Sequence, residues 1–236
     1  MDGFSYVNIF DTKGIEYIII IAFLLLIIPF WRLLNRPLKV RAGIRNAFSS
    51  ISSSLLSVPQ GVFFSNNHTW AHMLRSGNAR IGIDNLLINL TGDVSVRMVR
   101  NPGSTVRKGD VISEIEREGK KLTIAAPVSG EITGINQALL SDPSMLQEDP
   151  YGKGWICSIK PTDWMTDISG FHIAEGANSW LRKELDRIRD CLAVTANKYN
   201  PESQAVYMQD GGELAEYPLA SMPKEAWDDF QAEFLK

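Results

Sequence analysis

Two histidines four residues apart are the first side chains in this sequence that could do chemistry. On one face of a helix, His68 and His72 would have the spacing of a metal-binding pair. The residues around them indicate a β-strand that contains Trp70, and on a strand these histidines stand two pleats apart. With no third ligand beside them, we predict no metal site here.

Other reactive side chains also lack the setting that catalysis needs. Ser129 falls in a predicted turn without the strand-turn-helix elbow of a nucleophilic serine. The sequence contains neither a phosphate-binding loop nor a dinucleotide fingerprint. Cys157 and Cys191 are too few for a metal cluster or a disulfide framework, and we expect reduced thiols, as in the cytosol. We predict that the chain is not an enzyme.

The segment that must position these side chains, residues 62–161, indicates β-structure. Short runs rich in Val, Ile and Leu alternate with Gly, Asn, Asp and Pro. Ser76-Gly77-Asn78 and Asn101-Pro102-Gly103 have the composition of tight turns. This pattern predicts a mainly β domain, a compact sandwich or barrel of short strands.

The same segment carries an ordered series of short motifs. The most specific is Asp149-Pro150-Tyr151-Gly152-Lys153-Gly154-Trp155, in which an aromatic residue stands between an Asp-Pro corner and a Gly-x-Gly-Trp corner. The others are His68-Thr69-Trp70, Ile81-Gly82-Ile83-Asp84, Thr91-Gly92-Asp93-Val94, Gly103 to Gly109, Pro127-Val128-Ser129-Gly130-Glu131, Ile135-Asn136, Leu139 and Asp142-Pro143. Together they resemble the glycine cleavage system H protein family from about Phe63 to Lys160. The resemblance implies a barrel-sandwich hybrid of two small antiparallel sheets, with a helix near Leu86.

In the H protein family, a lysine at a hairpin tip carries lipoate, in a Glu-Ser-Val-Lys context. Counting forwards from Gly109 and backwards from Pro127 places that lysine at Gly119, and Glu116 matches the glutamate. Glycine has no side chain to acylate, and here it fits a tight turn. The resemblance therefore implies a carrier fold without its carrier arm.

Lys120 and Lys121 follow immediately and are the remaining candidates for lipoylation. A displacement of one residue on a hairpin turns a side chain to the opposite face, so Lys120 should not be presented as the family lysine is. A local bulge would restore that presentation. We expect no cofactor, and lipoate on Lys120 or Lys121 stays open as the alternative.

The N-terminus has the composition of a membrane anchor. Residues 15–34 are almost continuously apolar and would span about 30 Å as a helix, which matches one bilayer crossing. A cleaved signal peptide would have basic residues before the apolar stretch, whereas here Arg32, Arg36, Lys39, Arg41 and Arg45 lie at its end or follow it. We predict a short extracytoplasmic tail (1–14), a transmembrane helix (15–35) and, by the positive-inside rule, a cytoplasmic body.

A basic, Ser-rich juxtamembrane segment, residues 36–61, joins the anchor to the body. Its apolar residues recur at helical spacing, which favours a helix in the headgroup region. Its serines favour a flexible linker equally well.

The C-terminal extension, residues 162–236, predicts helices with a small hairpin between them. Gly176 to Tyr199 shows an apolar stripe, with Glu184 assigned to its wet side, and residues 205–217 indicate the hairpin. A terminal helix is expected to begin with Ser221 as its N-cap. Trp227, Phe230 and Phe234 share one side of this last helix, which is expected to bury them on its own domain or in the groove of a partner.

Composition and anchor narrow the function to two classes. A net charge of −3 and a pI near 5.7 give no reason to expect nucleic acid as a partner. The first class is an interaction or scaffold subunit of a complex at the inner or plasma membrane, with the membrane and other subunits as partners. The second is a lipoyl carrier confined to that membrane. Gly119 favours the first class.

Overall fold

The computed structural model describes residues 9–34, 58–199 and 217–236. Nine strands lie in this part of the chain: β1 (Val62–Phe64), β2 (Thr69–Met73), β3 (Ala79–Ile83), β4 (Ser95–Met98), β5 (Thr105–Val106), β6 (Val111–Arg117), β7 (Lys120–Ala125), β8 (Gly130–Ile135) and β9 (Cys157–Pro161). The described helices are α1 (Ile9–Leu34), α2 (Asn85–Thr91), α3 (Gln137–Ser141), α4 (Met145–Glu148), α5 (Trp164–Asp167), α6 (Ala174–Tyr199) and α7 (Lys224–Phe234).

The strands form two antiparallel sheets. One has six strands in the order β1-β2-β3-β9-β8-β5, and the other has three in the order β4-β6-β7. Leu86 lies in α2, which directly follows β3 and buries five of its seven residues. The predicted mainly β fold with C-terminal helices is confirmed.

Close packing around Trp70 explains one of the motif glycines. The Trp70 side chain is fully buried, and its Nε1 donates to the carbonyl oxygen of Ile83 at 2.9 Å. Gly82 stands opposite Trp70 across the ladder of β2 and β3. A Cβ at Gly82 would lie 2.5 Å from the indole ring, so only glycine lets the indole pack against this backbone.

The Asp-Pro and Gly-x-Gly-Trp motif forms a polar corner that ties the domain together. The two carboxylate oxygens of Asp149 accept the backbone N–H groups of Gly152 and Lys153 at 2.9 and 3.0 Å. The hydroxyl of Tyr151 accepts the backbone N–H of Asn85, at the start of α2, at 3.2 Å. The motif is thus structural, and it satisfies one of the orphan N–H groups of a helix N-terminus.

Helix α1 belongs to a unit separate from the sheets and is described by itself. It has 26 residues and contains Pro29. Within the described residues, no helix reaches the combination of length and apolar character that a membrane crossing requires. The transmembrane helix expected at residues 15–35 therefore stays a prediction. The juxtamembrane alternatives for residues 36–61 and the hairpin at residues 205–217 fall almost entirely outside the described part of the chain.

Two details of the C-terminal extension differ from the sequence-based expectations. Helix α7 begins at Lys224, with Pro223 at the cap position and no side-chain cap. The hydroxyl of Ser221, expected to cap this helix, donates to the carbonyl of Pro218. Glu184, assigned to the wet side of α6, is buried, because it lies three residues after Leu181 and four before Ile188 on the apolar stripe.

Candidate functional site at the hairpin turn

The hairpin between β6 and β7 closes with a two-residue turn. Arg117 pairs with Lys120, which leaves Glu118 and Gly119 as the turn residues. Both have positive φ, 51° for Glu118 and 79° for Gly119. Positive φ at both central positions defines a type I′ turn, whose twist matches that of the flanking strands.

At Gly119, a side chain would have ample space but would need a backbone conformation that glycine adopts most easily. A Cβ built on Gly119 would meet nothing within 4 Å. A lysine at this position would thus project freely from the tip, at the cost of a left-handed backbone that glycine adopts easily. The position expected for the carrier lysine is an exposed tip without a side chain.

Lys120 does not project into solvent. Its Nζ donates to the carbonyl oxygens of Ala220 at 2.5 Å and Met222 at 3.2 Å, and it lies 5.6 Å from the centre of the Trp227 ring. Only 13% of the side chain is exposed. Because side chains alternate along a strand, Lys120 faces the same way as the buried Leu122. Its ammonium group is therefore held by the C-terminal segment, residues 217–236, hereafter the strap.

Lys121 is the exposed lysine of the hairpin. Its side chain is 47% exposed, and its Nζ lies 3.2 Å from Glu116 and 4.0 Å from Glu114 on the neighbouring strand. These are surface ion pairs, which stabilise little and break readily. Of the two lysines considered for lipoylation, Lys121 alone has an accessible amine.

The strap docks on β7, an edge strand of the three-stranded sheet. The side-chain amide of Gln231 accepts the backbone N–H of Thr123 at 2.6 Å and donates to its carbonyl at 3.3 Å. The Gln231 carboxamide thus makes the two hydrogen bonds to the Thr123 backbone that a further strand would otherwise have made.

The three aromatic residues expected to bind a partner are buried in this chain. Trp227 donates through Nε1 to the carbonyl of Leu219 at 2.7 Å, and Phe230 stacks on Phe234 with ring centres 4.8 Å apart. All three side chains are at most 2% exposed. Of the two locations expected from the sequence, the structure has them on their own domain; their use by a partner stays a prediction.

A buried histidine connects the strap to the sandwich. His68 lies just before β2 rather than within a strand, and its Nδ1 is 2.8 Å from a carboxylate oxygen of Asp84. Its Nε2 is 3.6 Å from Glu184 of α6, an ion-pair distance longer than a hydrogen bond. Trp180 and Phe234 flank the imidazole, with ring centres 5.5 and 6.4 Å away.

The charges around His68 determine its protonation. Burial by itself lowers the pKa of this imidazole, but the charge and hydrogen bond of Asp84, together with Glu184, outweigh burial and raise the pKa to about 9. Desolvation likewise opposes ionisation of Glu184, whose pKa is nevertheless lowered by His68 and Arg187. Arg187 in turn donates to the carbonyl of Glu233 in the strap at 3.1 Å.

Sequence reasoning missed this buried network and the clamp formed by Gln231. Asp84 offered one signal, since an Asp before an apolar helical run is a typical N-cap, and it does accept the N–H of Leu87. Glu184 offered another through its place on the apolar stripe. Gln231 offered none, because its partner is backbone that any residue could supply. In the described chain, no group of three His, Cys, Asp or Glu residues could hold a metal ion.

A sandwich with an exposed β-hairpin turn is the architecture of the lipoyl-type domains, and comparison with known proteins identifies the family. The model of the glycine cleavage H-protein family matches residues 62–184. The chain belongs to this family, whose members are lipoate carriers in glycine cleavage and not catalysts.

Individual relatives cover the same segment. A probable glycine cleavage system H protein of Thermococcus kodakarensis is 34% identical over 125 residues, 53% of this chain and 92% of the relative. A glycine cleavage system H protein of Thermus thermophilus is 33% identical over 129 residues, 55% of this chain and 99% of the relative. A crystal structure of a glycine cleavage system H protein from Mycobacterium marinum is 27% identical, with a TM-score of 0.46, and covers 52% of this chain and 98% of its own. The strap lies outside the residues that the family model matches.

The raised pKa of His68 predicts a loss of stability in alkali. A folded-state pKa above the unfolded value of 6.5 gives a contribution that is fully present below pH 6.5 and is lost as pH rises through about 9. We expect the free energy of unfolding, measured by urea denaturation, to fall by on the order of 3 kcal/mol across this window.

His68→Gln should remove this pH dependence, and His72→Gln, a histidine outside the network, should retain it. The two thiols, whose pKa burial raises to about 12 for Cys157 and about 11 for Cys191, begin to contribute only above about pH 9. An equal slope in wild type and His68→Gln would contradict a charged His68.

Proposed function

We propose that this protein is a membrane-anchored interaction subunit that keeps the H-protein fold without its lipoyl arm. The observation that carries the proposal is the state of the hairpin. Gly119 stands where the family lysine belongs, and the neighbouring Lys120 donates to two carbonyls of the strap. A lysine in those bonds would have to leave them to enter a ligase or to swing between active sites.

The sandwich suits a role in assembly, because a rigid β-domain presents its turns and edges as fixed surfaces. The chain adds residues on both sides of the family match, an apolar segment before it and the strap after it. Neither addition is needed to present a lipoyl lysine. Both are of use to a subunit that is held at a membrane and meets other chains there.

A lipoyl carrier is the second candidate, and the exposure of Lys121 favours it. This lysine lies two residues after Gly119, on the outer side of β7, and only surface carboxylates hold its amine. As a carrier, the protein would use Lys121 to move groups or electrons between membrane-associated enzymes.

The proposed anchor rests on the apolar character of residues 15–34 and on their surroundings. In α1, the large apolar side chains from Tyr17 to Ile28 are 41% to 68% exposed. A contiguous apolar surface of this kind needs a nonpolar environment to cover it. The basic residues that flank its C-terminal end favour a body on the cytoplasmic side of an inner or plasma membrane.

A lipoylation assay in vitro separates the two candidates. Incubated with a lipoate ligase, lipoate and ATP, the wild-type chain should stay unmodified, while an H protein with the family lysine is acylated. Gly119→Lys should accept lipoate, because the space around the tip is open and the left-handed backbone costs only about 1 kcal/mol.

Peptide mass mapping of the same reactions identifies any modified residue. An adduct on Lys121 that disappears in Lys121→Arg would establish the carrier and refute the interaction subunit. Lys120→Arg provides the matched control, since it keeps a positive charge for the two strap carbonyls. We expect both arginine variants to behave as the wild type does.

The anchor is tested by membrane fractionation in a bacterial host. The wild-type chain should remain in the membrane pellet after alkaline carbonate washing. Leu24→Arg together with Leu25→Arg should release it, because each arginine costs about 3 kcal/mol at the centre of a bilayer.

Val194→Arg is the matched control, since Val194 is an exposed apolar residue of the body and its substitution should leave the chain in the pellet. Protease added to inverted vesicles should digest the body and leave α1 protected. Wild-type protein in the carbonate supernatant would refute the anchor.

A further inference from the structure

The strap touches the domain through polar contacts along its length and through one apolar face. At the hairpin, Lys120 donates to the strap carbonyl of Ala220, and the strap residue Gln231 accepts the backbone N–H of Thr123. At its start, the N–H of Leu219 donates to the carbonyl of Leu90, the penultimate residue of α2, at 3.0 Å. Between these contacts lies the aromatic face of α7.

The strap covers several kinds of binding group at once. Beneath it are the ammonium group of Lys120, the N–H and C=O of Thr123 on an edge strand, and the apolar surface that receives Trp227, Phe230 and Phe234. An uncovered edge strand and apolar surface are the features that bind other chains. The strap therefore covers a surface beside the hairpin tip that would otherwise be free to bind other chains.

Charge and ring contacts at the far end of the strap couple it to α6. The guanidinium of Arg187 lies 4.3 Å from the centre of the Phe234 ring and is bonded to Glu184, which faces His68. Lys198 and Tyr199, at the end of α6, both bond to Asp229 of α7. Residues 200–216 join α6 to the strap, so the strap stays tethered to the domain when it leaves its place.

We propose that residues 217–236 are a detachable strap, an intramolecular ligand that masks a helix-binding surface beside the hairpin, with Lys120 as its latch. The surface fits an amphipathic helix that resembles α7. Such a helix carries three aromatic residues, with spacings of three and then four residues, and a carboxamide side chain directly after the second aromatic residue. A partner helix of this chemistry would replace the strap. The inference rests on the proposed function, since the masked surface is where an interaction subunit would take its partner.

Lysine reactivity measures detachment directly in the full chain. Brief acetylation of native protein, followed by peptide mass spectrometry, compares Lys120 with Lys121, its exposed neighbour. In the wild type, we expect Lys120 to react about ten-fold more slowly than Lys121. Phe234→Ala removes packing at the far end of the strap without touching Lys120, and it should raise the Lys120 rate about ten-fold.

Two further variants keep this experiment decisive. Gln231→Ala removes the hydrogen bonds to Thr123 and one bond within the strap, to the carbonyl of Leu235, but no aromatic packing. It should therefore raise Lys120 reactivity even if Phe234→Ala unfolds the domain. Glu225→Ala changes an exposed residue of α7 and should leave the rate at Lys120 unchanged. Equal rates at Lys120 and Lys121 in the wild type would overturn the latch, as would protection of Lys120 that persists in both weakened variants.

A peptide of residues 217–236 tests whether the surface accepts a helix from outside. A fluorescent form should bind the Phe234→Ala chain about ten-fold more tightly than the wild type, because the native strap competes with it. A scrambled peptide of the same composition serves as the control, because it measures the signal that comes only from partition into detergent. Binding no better than the scrambled peptide, or equal binding to both chains, would overturn the helix-binding surface.

These outcomes are separable from those of the proposed function. Acetylation and peptide binding are measured on protein whose mass shows no lipoyl adduct, and they report only on the strap. A strap that proves permanent would leave the missing lipoyl arm unchanged. A lipoyl group on Lys121 would refute the proposed function without altering the contacts of the strap.

Discussion

The docking of the C-terminal helix on an edge strand of the sandwich is the interaction on which the site depends. An edge strand presents unpaired backbone groups, and an aromatic helix face must be buried somewhere. Here the two requirements satisfy each other, with Gln231 bonded to the backbone of Thr123 and three aromatic side chains removed from water. The same docking keeps the amine of Lys120 away from solvent, because the chain just before the helix carries the two carbonyls that accept its hydrogen bonds.

The buried charges around His68 join the sandwich to helix α6. Burial opposes a charge on this imidazole, but the charge and hydrogen bond of Asp84, together with Glu184, outweigh burial and raise the pKa of His68. Asp84 belongs to the sandwich and Glu184 to α6, so the histidine joins the two parts. Phe234 of the strap packs beside it. Residues far apart in the sequence therefore meet at one ring.

Much of the fold could be predicted from the sequence, since its motifs have local physical causes. The glycine opposite Trp70 and the Asp149 corner each follow from contacts between short segments, whereas the helix around Leu86 follows from the family resemblance. The tight turn at Gly119 was also predictable, because a glycine between two strands adopts positive φ easily. The place of Lys120 was predictable only in part. Strand alternation gives its direction, but the acceptors that hold its amine lie 100 and 102 residues away.

Glu184 shows why residue type can mislead at a buried charge. Its residue type suggested solvent, whereas its spacing placed it on the apolar face, and its partner His68 decided between the two. The partner lies 116 positions earlier in the chain, beyond any local pattern. Ser221 failed as a cap for a different reason, because the helix begins only at Lys224, with Pro223 at the cap position. The hydroxyl of Ser221 donates instead to the carbonyl of Pro218.

The central claim is that this hairpin no longer carries a lipoyl group. The most direct measurement is the intact mass of the protein purified from the membranes of its own host, in cells whose other lipoyl proteins are shown to be modified. We predict the mass of the unmodified chain. An added lipoyl group, mapped to Lys120 or Lys121, would contradict the claim and make the protein a carrier.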